Sequence, residues 1–311
     1  MQSTDVNRTI QSGYSELLGI YPPTESKGEQ LSEGEQKSLS SGRGMPRMNI
    51  KDASTINQEL GANPLPNGFV SVPITTFADA NIEDDVSYGG CPYAEDEVHS
   101  RRYVDTTYQD YMWMAGFVRD PLAEGLGVDQ IVMDLETFHG VYDYSDAYVA
   151  MEFEGLPFAV EDTFDPNSYY EMRTMQKVEL VGMFTRDTRR LAFSRMMRKP
   201  LEAMANRVSE LLGEDFTDNN GLRYAIYSAH DDQISNMMEW LHPNNVYMDY
   251  VLFSSQVVFE LLFDEECLAS NASEDCFRVD VIWNGNELGF DACSASAKLN
   301  GTGCSYADFK S

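Results

Sequence analysis

Apolar positions along this chain change their rhythm from one region to the next. Ile10, Tyr14, Leu17 and Leu18 recur at the spacing of one helical face, and Pro22-Pro23 ends that run. From Thr24 to Arg47 large apolar residues almost vanish among Ser, Gly, Glu, Gln and Lys, which predicts an exposed flexible loop over 24–47. Gly68 to Ile74 reads as a strand with Pro73 near its edge. Helical periodicity then dominates and predicts a helical subdomain over 95–212. Its clearest helix opens at Pro200, continues through Leu201, Met204, Ala205, Val208, Leu211 and Leu212, and stops at Gly213.

Tyr224 to Ser228 is a near-continuous apolar run of the kind buried in a parallel sheet, and it leads into a helix carried by Ile234, Met237, Met238 and Leu241. The period then shortens to two. Gln256 to Phe263 reads as a strand, and Phe277, Val279, Val281 and Trp283 alternate with polar residues before Asn284-Gly285, which predicts antiparallel strands at a sheet margin. The pattern as a whole predicts an α/β fold with flanking helices and a smaller helical subdomain. No internal repeat interrupts it.

The chain has 311 residues, enough to bury a large core, and its 51 acidic against 22 basic side chains give a net charge of −29. That charge repels nucleic acid and anionic membranes, so neither is expected as a partner. No run of eighteen apolar residues occurs, and Met1 is followed by polar residues, so no membrane segment or signal peptide is read from the sequence. Cys267 and Cys276 flank one polar loop and Cys293 and Cys304 another. Each loop carries an acceptor sequon, at Asn271 and at Asn300. Loop-closing cysteines beside sequons predict disulfides and a secretory route, with Cys91 left over and the connectivity open. No closely spaced Cys/His cluster predicts a metal, and no cofactor is implied.

Chemistry concentrates in two short segments. Tyr227-Ser228-Ala229-His230-Asp231 closes an apolar run and opens an amphipathic one, which sets a histidine beside a carboxylic acid at a strand's carboxyl end, where open α/β sheets place their sites. Ser3-Thr4-Asp5-Val6-Asn7-Arg8-Thr9 puts Arg8 in the first turns of a helix, where a guanidinium and the helix end both suit an anion. Taken singly, Arg8 reads as a surface arginine, His230 as a buried histidine capping a strand, and Asp231 as the cap of the next helix. Together they suggest a phosphate site: a histidine to hydrogen-bond phosphoryl oxygens, and a protonated acid for the leaving oxygen.

These residues resemble the histidine acid phosphatases. Ser3 to Thr9 is similar to that family's S-T-D-V-x-R-T block, and Tyr227 to Asp231 to its Y-S-A-H-D block. Leu65 to Phe69 with Val72-Pro73-Ile74, Gly90-Cys91-Pro92, Phe253-Ser254-Ser255 and Phe259-Glu260-Leu261 carry weaker likeness, so the resemblance spans the chain. It implies a mostly parallel sheet in one domain over 1–311. It also implies hydrolysis of phosphate monoesters at acid pH through a phosphohistidine, without metal or cofactor, in a secreted, lysosomal or vacuolar protein. Arg8 and His230 would bind the phosphoryl group, and Asp231 would protonate the leaving oxygen.

One part of the family pattern is missing. The nucleophile-bearing R-H-G-x-R-x-P segment does not occur: Phe138-His139-Gly140-Val141-Tyr142 lacks both arginines, Gly42-Arg43-Gly44 lacks the histidine, His99 sits in an acidic patch, and His242 precedes a proline. The expectation is that this segment lies upstream of Met1 and that the chain is an N-terminally truncated fragment, inactive by itself. A pseudophosphatase that binds anions without turnover and a phytase-like specificity are the alternatives.

Overall fold

The computed structural model describes residues 1–21, 34, 37, 72–78, 81, 83–87, 91–126, 138–156, 166–182, 184–213, 223–247, 250–293 and 303–310. The sequence-predicted loop over 24–47, apart from Gly34 and Lys37, lies outside these residues. So do Leu65 to Ser71, Gly90, the arginine of Gly42-Arg43-Gly44 and the Asn300 sequon. The chain forms two compact units, Met1–Thr76 with Ile226–Ser228, and Phe77–Ala225 with Ala229–Ser311.

In the first unit, strand β1 (Gln2–Ser3) pairs in parallel with β2 (Tyr227–Ser228). On its other side Thr75 makes a parallel bridge to Gln2. The strand predicted to end at Ile74 is therefore reduced, among the described residues, to this single pairing at Thr75. β2 is shorter than its apolar run: Tyr224 is 55% exposed, and extended pairing begins only at Tyr227.

Helix α1 (Asn7–Ile20) follows β1, but its buried face differs from the predicted one. Thr9, Gly13 and Leu17 are buried, whereas Tyr14 and Leu18 are 39% and 37% exposed. The reason is close packing. A Cβ at Gly13 would collide with the Met1 side chain, and the Thr9 hydroxyl donates to the Val6 carbonyl at 2.8 Å while meeting the Thr4 hydroxyl at the same distance. The small residues Thr9 and Gly13 thus bring the start of α1 onto β1, and Leu17 continues the buried face.

The second unit is mostly helical up to Gly213: α2 (Pro92–Val104), α3 (Thr106–Leu126), α4 (Phe138–Phe153), α5 (Pro166–Lys177), a π-helical turn (Val178–Gly182), α6 (Arg186–Phe193) and α7 (Arg195–Leu212). Pro92 occupies the first position of α2, where a missing N–H costs nothing. α7 stops where predicted, at Gly213 with φ 76°.

α7 begins five residues before Pro200, however, and tertiary contacts account for the difference. Met196 and Met197 are buried, and Arg198 and Lys199 grip the buried Asp85 carboxylate at 2.6 and 2.5 Å, which holds the turn that proline alone would not favour. Ala115, Val118, Leu122, Tyr148, Met172 and Met175 form the core of α3, α4 and α5.

Helix α8 (Asp231–Leu241) then leads to an antiparallel sheet of β3 (Val257–Phe263), β4 (Phe277–Trp283), β5 (Asn286–Glu287) and β6 (Cys304–Ser305), in the order β3-β4-β5 with β6 also on β4. The β4–β5 turn is Asn284-Gly285, both at positive φ, as the hairpin signal requires. Helix α9 (Glu265–Asn271) lies between β3 and β4, and α10 (Tyr306–Phe309) closes the chain. Disulfides join Cys267 to Cys276 and Cys293 to Cys304.

The protein is therefore a mixed helix and sheet structure. Its sheets, among the described residues, are one short parallel pair and one antiparallel sheet rather than the expected mostly parallel sheet. The two disulfides fit an oxidising secretory compartment, and among the described residues no helix is long and apolar enough to cross a membrane.

Candidate functional site

Asp231 is the first residue of α8, and His230 is the extended residue before it, φ −118° and ψ 174°. Asp231 is thus not the helix cap; His230 holds that position. The local fold follows from the polar residues after them. Gln233 is 3% exposed and turns back so that its Oε1 accepts the His230 backbone N–H at 3.0 Å, while Asp232 Oδ1 accepts from the Gln233 N–H at 2.9 Å. These bonds satisfy donors that a helix start leaves open.

Asn236 anchors the same helix one turn further on. It is fully buried, donates through Nδ2 to the Leu180 and Asp232 carbonyls at 2.8 Å each, and accepts from Arg189 Nε at 3.0 Å. Arg189 also donates to the Val181 and Phe184 carbonyls at 2.9 and 3.2 Å. Leu180 and Val181 lie at the end of the π-helical turn, where a helix leaves its carbonyls open, and Asn236 and Arg189 donate to them. Burial pushes the Arg189 guanidinium down from its ordinary value, with Glu239 opposing, yet arginine remains charged.

The electrostatics single out Asp231. Burial first and the negative charge of Asp146 second push its carboxyl above the ordinary aspartate value. The N–H groups of Asp231 and Asp232 and the Arg173 guanidinium pull the other way and do not prevail. A helix start normally favours the carboxylate, so the net direction means that desolvation and a like charge outweigh it. Such a carboxyl keeps its proton to higher pH than an exposed one.

Asp146 on α4 and Arg173 on α5 meet through Gln176. Arg173 is 5% exposed, donates to Gln176 Oε1 and stacks over the Tyr250 ring at 4.0 Å. Lys177 lies 5.3 Å from the Tyr247 ring. Tyr169, near Arg173, is pushed up to about 12 by burial and by its hydrogen bond to Glu152, so its phenol stays protonated. The side chains whose charges act on Asp231 at the start of α8 are thus Asp146 and the buried Arg173.

Of the residues singled out from sequence, His230 and Asp231 are adjacent in the second unit, and Arg8 is the second residue of α1 in the first. His99 is exposed beside Tyr103, at 5.0 Å between rings, His242 ends α8 at φ 50°, and His139 lies in the first turn of α4. Asp146, Arg173 and Gln176 were not singled out. They belong to helices far from α8 in sequence, and no spacing signal links them to it. Among the described residues no group of three or more His, Cys, Asp or Glu is placed to hold a metal. Neither a protein-family model nor a curated protein matches the chain.

Proposed function

We propose that this chain supplies the proton-donating and anion-binding groups for hydrolysis of phosphate monoesters at acid pH. The observation that carries the reading is the Asp231 carboxyl, pushed towards its protonated form at a helix start directly after His230. As the P–O bond breaks, the Asp231 proton passes to the ester oxygen, which leaves as an alcohol, and the phosphoryl group passes to a nucleophile. His230 hydrogen-bonds the phosphoryl oxygens as charge develops on them. The resemblance assigns the nucleophile to a histidine of an R-H-G-x-R-x-P segment that this sequence does not contain, and it alone assigns phosphate binding to Arg8.

The second reading is a pseudophosphatase that binds phosphate and turns nothing over, favoured by that missing motif. Among substrates, a net charge of −29 argues for simple monoesters over the many-fold phosphorylated inositols of a phytase-like enzyme. The reading also implies a glycoprotein of the secretory or lysosomal route. Asn271, exposed at the end of α9 within the loop that Cys267–Cys276 closes, is its acceptor among the described residues.

The test supplies the missing nucleophile. The folded chain is given phenyl phosphate with added imidazole as phosphoryl acceptor, and inorganic phosphate binding is measured by calorimetry. Imidazole-dependent phosphate release that falls roughly 10²–10⁴-fold in Asp231→Asn supports the enzyme. Phosphate binding without release supports the second reading, and the absence of both removes the phosphate assignment.

A further inference from the structure

Helix α8 ends at His242, which takes the left-handed conformation at φ 50°. Glycine fills that position in many helices, so the turn itself does not require an imidazole. The chain continues through Pro243, Asn244 and Asn245 to Tyr247, and with Asp291 these residues line an open pocket of about 540 Å³. That volume lies within the range of small-molecule sites.

One wall of the pocket is fixed by hydrogen bonds. The Asn244 N–H donates to the Gly289 carbonyl at 2.9 Å and its Nδ2 to Asp291 Oδ1 at 2.6 Å. Asn245 Oδ1 accepts from the Gly289 N–H at 2.8 Å, and its Nδ2 donates to the Glu287 carbonyl at 3.0 Å. Between them Leu288 is fully buried with Met238 and Val281, and its N–H donates to the Val281 carbonyl at 2.8 Å. The pocket is therefore set before a ligand arrives, which lowers the ordering cost of binding.

The groups that remain decide what fits. Asp291 keeps a second carboxylate oxygen and Asn244 an amide oxygen as acceptors, and the His242 imidazole and the Tyr247 hydroxyl can donate. Tyr247 is 81% exposed and offers an aromatic face to solvent. A phosphate or carboxylate ligand would meet the Asp291 charge and the field of a chain at −29. A divalent cation lacks ligands, because among the described residues no group of three or more His, Cys, Asp or Glu is placed to hold one. An organic cation would compete with Lys177, whose Nζ already lies 5.3 Å from the Tyr247 ring centre. A neutral ring bearing several hydroxyls suits the pocket: its hydroxyls pair with mixed donors and acceptors, and its C–H face can lie on the tyrosine.

We propose that this pocket binds a saccharide, with Asp291, Asn244 and His242 at its hydroxyls and Tyr247 against its C–H face. The site stands apart from His230 and Asp231, since α8 is an 11-residue helix that carries them at its other end, roughly 15 Å away. It needs no phosphate chemistry.

The experiment is saturation-transfer NMR on the folded chain with methyl α-mannopyranoside, methyl β-galactopyranoside and diacetylchitobiose, and with inorganic phosphate and ethylammonium as ionic probes. The expected result is transfer to the C–H protons of at least one saccharide, movement of the Tyr247 ring and His242 imidazole resonances, and a dissociation constant on the order of 1 mM. Preference for diacetylchitobiose over the single rings points to a glycan chain as the source, and the reverse preference to a free sugar. Tyr247→Ala and Asp291→Ala should each weaken binding roughly 10-fold, and Asp231→Asn should leave it unchanged. Tyr247→Ala removes an exposed ring, so its urea unfolding should match that of the parent chain. No response to any of the three saccharides, a response of Tyr247 and His242 to the ionic probes alone, or undiminished saccharide binding in a folded Tyr247→Ala chain overturns the proposal.

Discussion

The antiparallel sheet and the start of α8 belong to the same unit but differ in what they bury. β3 and β4 pair over seven residues in unbroken register, from Val257↔Trp283 to Phe263↔Phe277, and Phe277, Val279 and Val281 are sealed from solvent. Met204 and Val208 of α7, Tyr306 of α10 and the Cys267–Cys276 disulfide pack against them. Even its buried carboxylate, Asp280, meets Arg278 at 2.9 Å. At the start of α8 the buried side chains are polar, Gln233 and Asn236, held by hydrogen bonds to the His230 N–H and to the Leu180 and Asp232 carbonyls, while further along the helix Met238 packs on Val281 and Leu288. Apolar packing holds the first region. Hydrogen-bond completeness holds the second, and that leaves a carboxyl free to be tuned.

Removing packing from the sheet should have the largest effect. Phe277→Ala leaves a cavity among Phe263, Val279 and Tyr306, and urea unfolding should show a loss of about 3–5 kcal/mol with the Asp231 titration unchanged. A loss under about 1 kcal/mol would mean that the sheet core collapses freely and that the contrast between the regions is overstated.

A smaller loss is expected at the polar region. Asn236→Ala takes an acceptor from half-buried Arg189 and a donor from the Leu180 carbonyl, with an expected cost of about 1–3 kcal/mol. Unlike Phe277→Ala it should also shift the Asp231 titration, because it loosens the helix that presents Asp231. Equal behaviour of the two variants in that titration would erase the distinction.

Asp231→Asn is expected to have the smallest effect, and its sign depends on pH. The folded chain holds the Asp231 proton more tightly than the unfolded chain, so this group's contribution is lost as pH rises from the unfolded carboxyl's range through the folded midpoint. Chemical unfolding at a series of pH values should show Asp231→Asn gaining stability relative to the parent chain as pH rises through that window. A relative loss over the same window would reverse the assigned direction.

What the sequence disclosed follows the same division. The alternation Phe277, Val279, Val281, Trp283 and the Asn284-Gly285 turn were legible because strand period and turn chemistry are local. So were the cysteine loops, whose partners lie close in sequence, and the Gly213 stop. The buried face of α1 was read only in part: Leu17 is buried as expected, but Thr9 and Gly13 rather than Tyr14 and Leu18 complete the face, because they allow close approach to Met1 and Thr4. The α7 start was misread because Asp85, distant in the chain, grips Arg198 and Lys199. At the candidate site, the adjacent pair His230-Asp231 was readable. The Asp146–Gln176–Arg173 link was not, since only packing of α4 and α5 brings it together.

The central claim is that Asp231 keeps its proton above the range of an ordinary aspartate, as a general acid must. The most direct measurement is the carboxyl-carbon titration of Asp231 in the folded, unsubstituted chain. The account predicts a midpoint clearly above that of an aspartate in the same chain unfolded by urea. A midpoint equal to or below the unfolded one would contradict it and leave the chain without its proton donor.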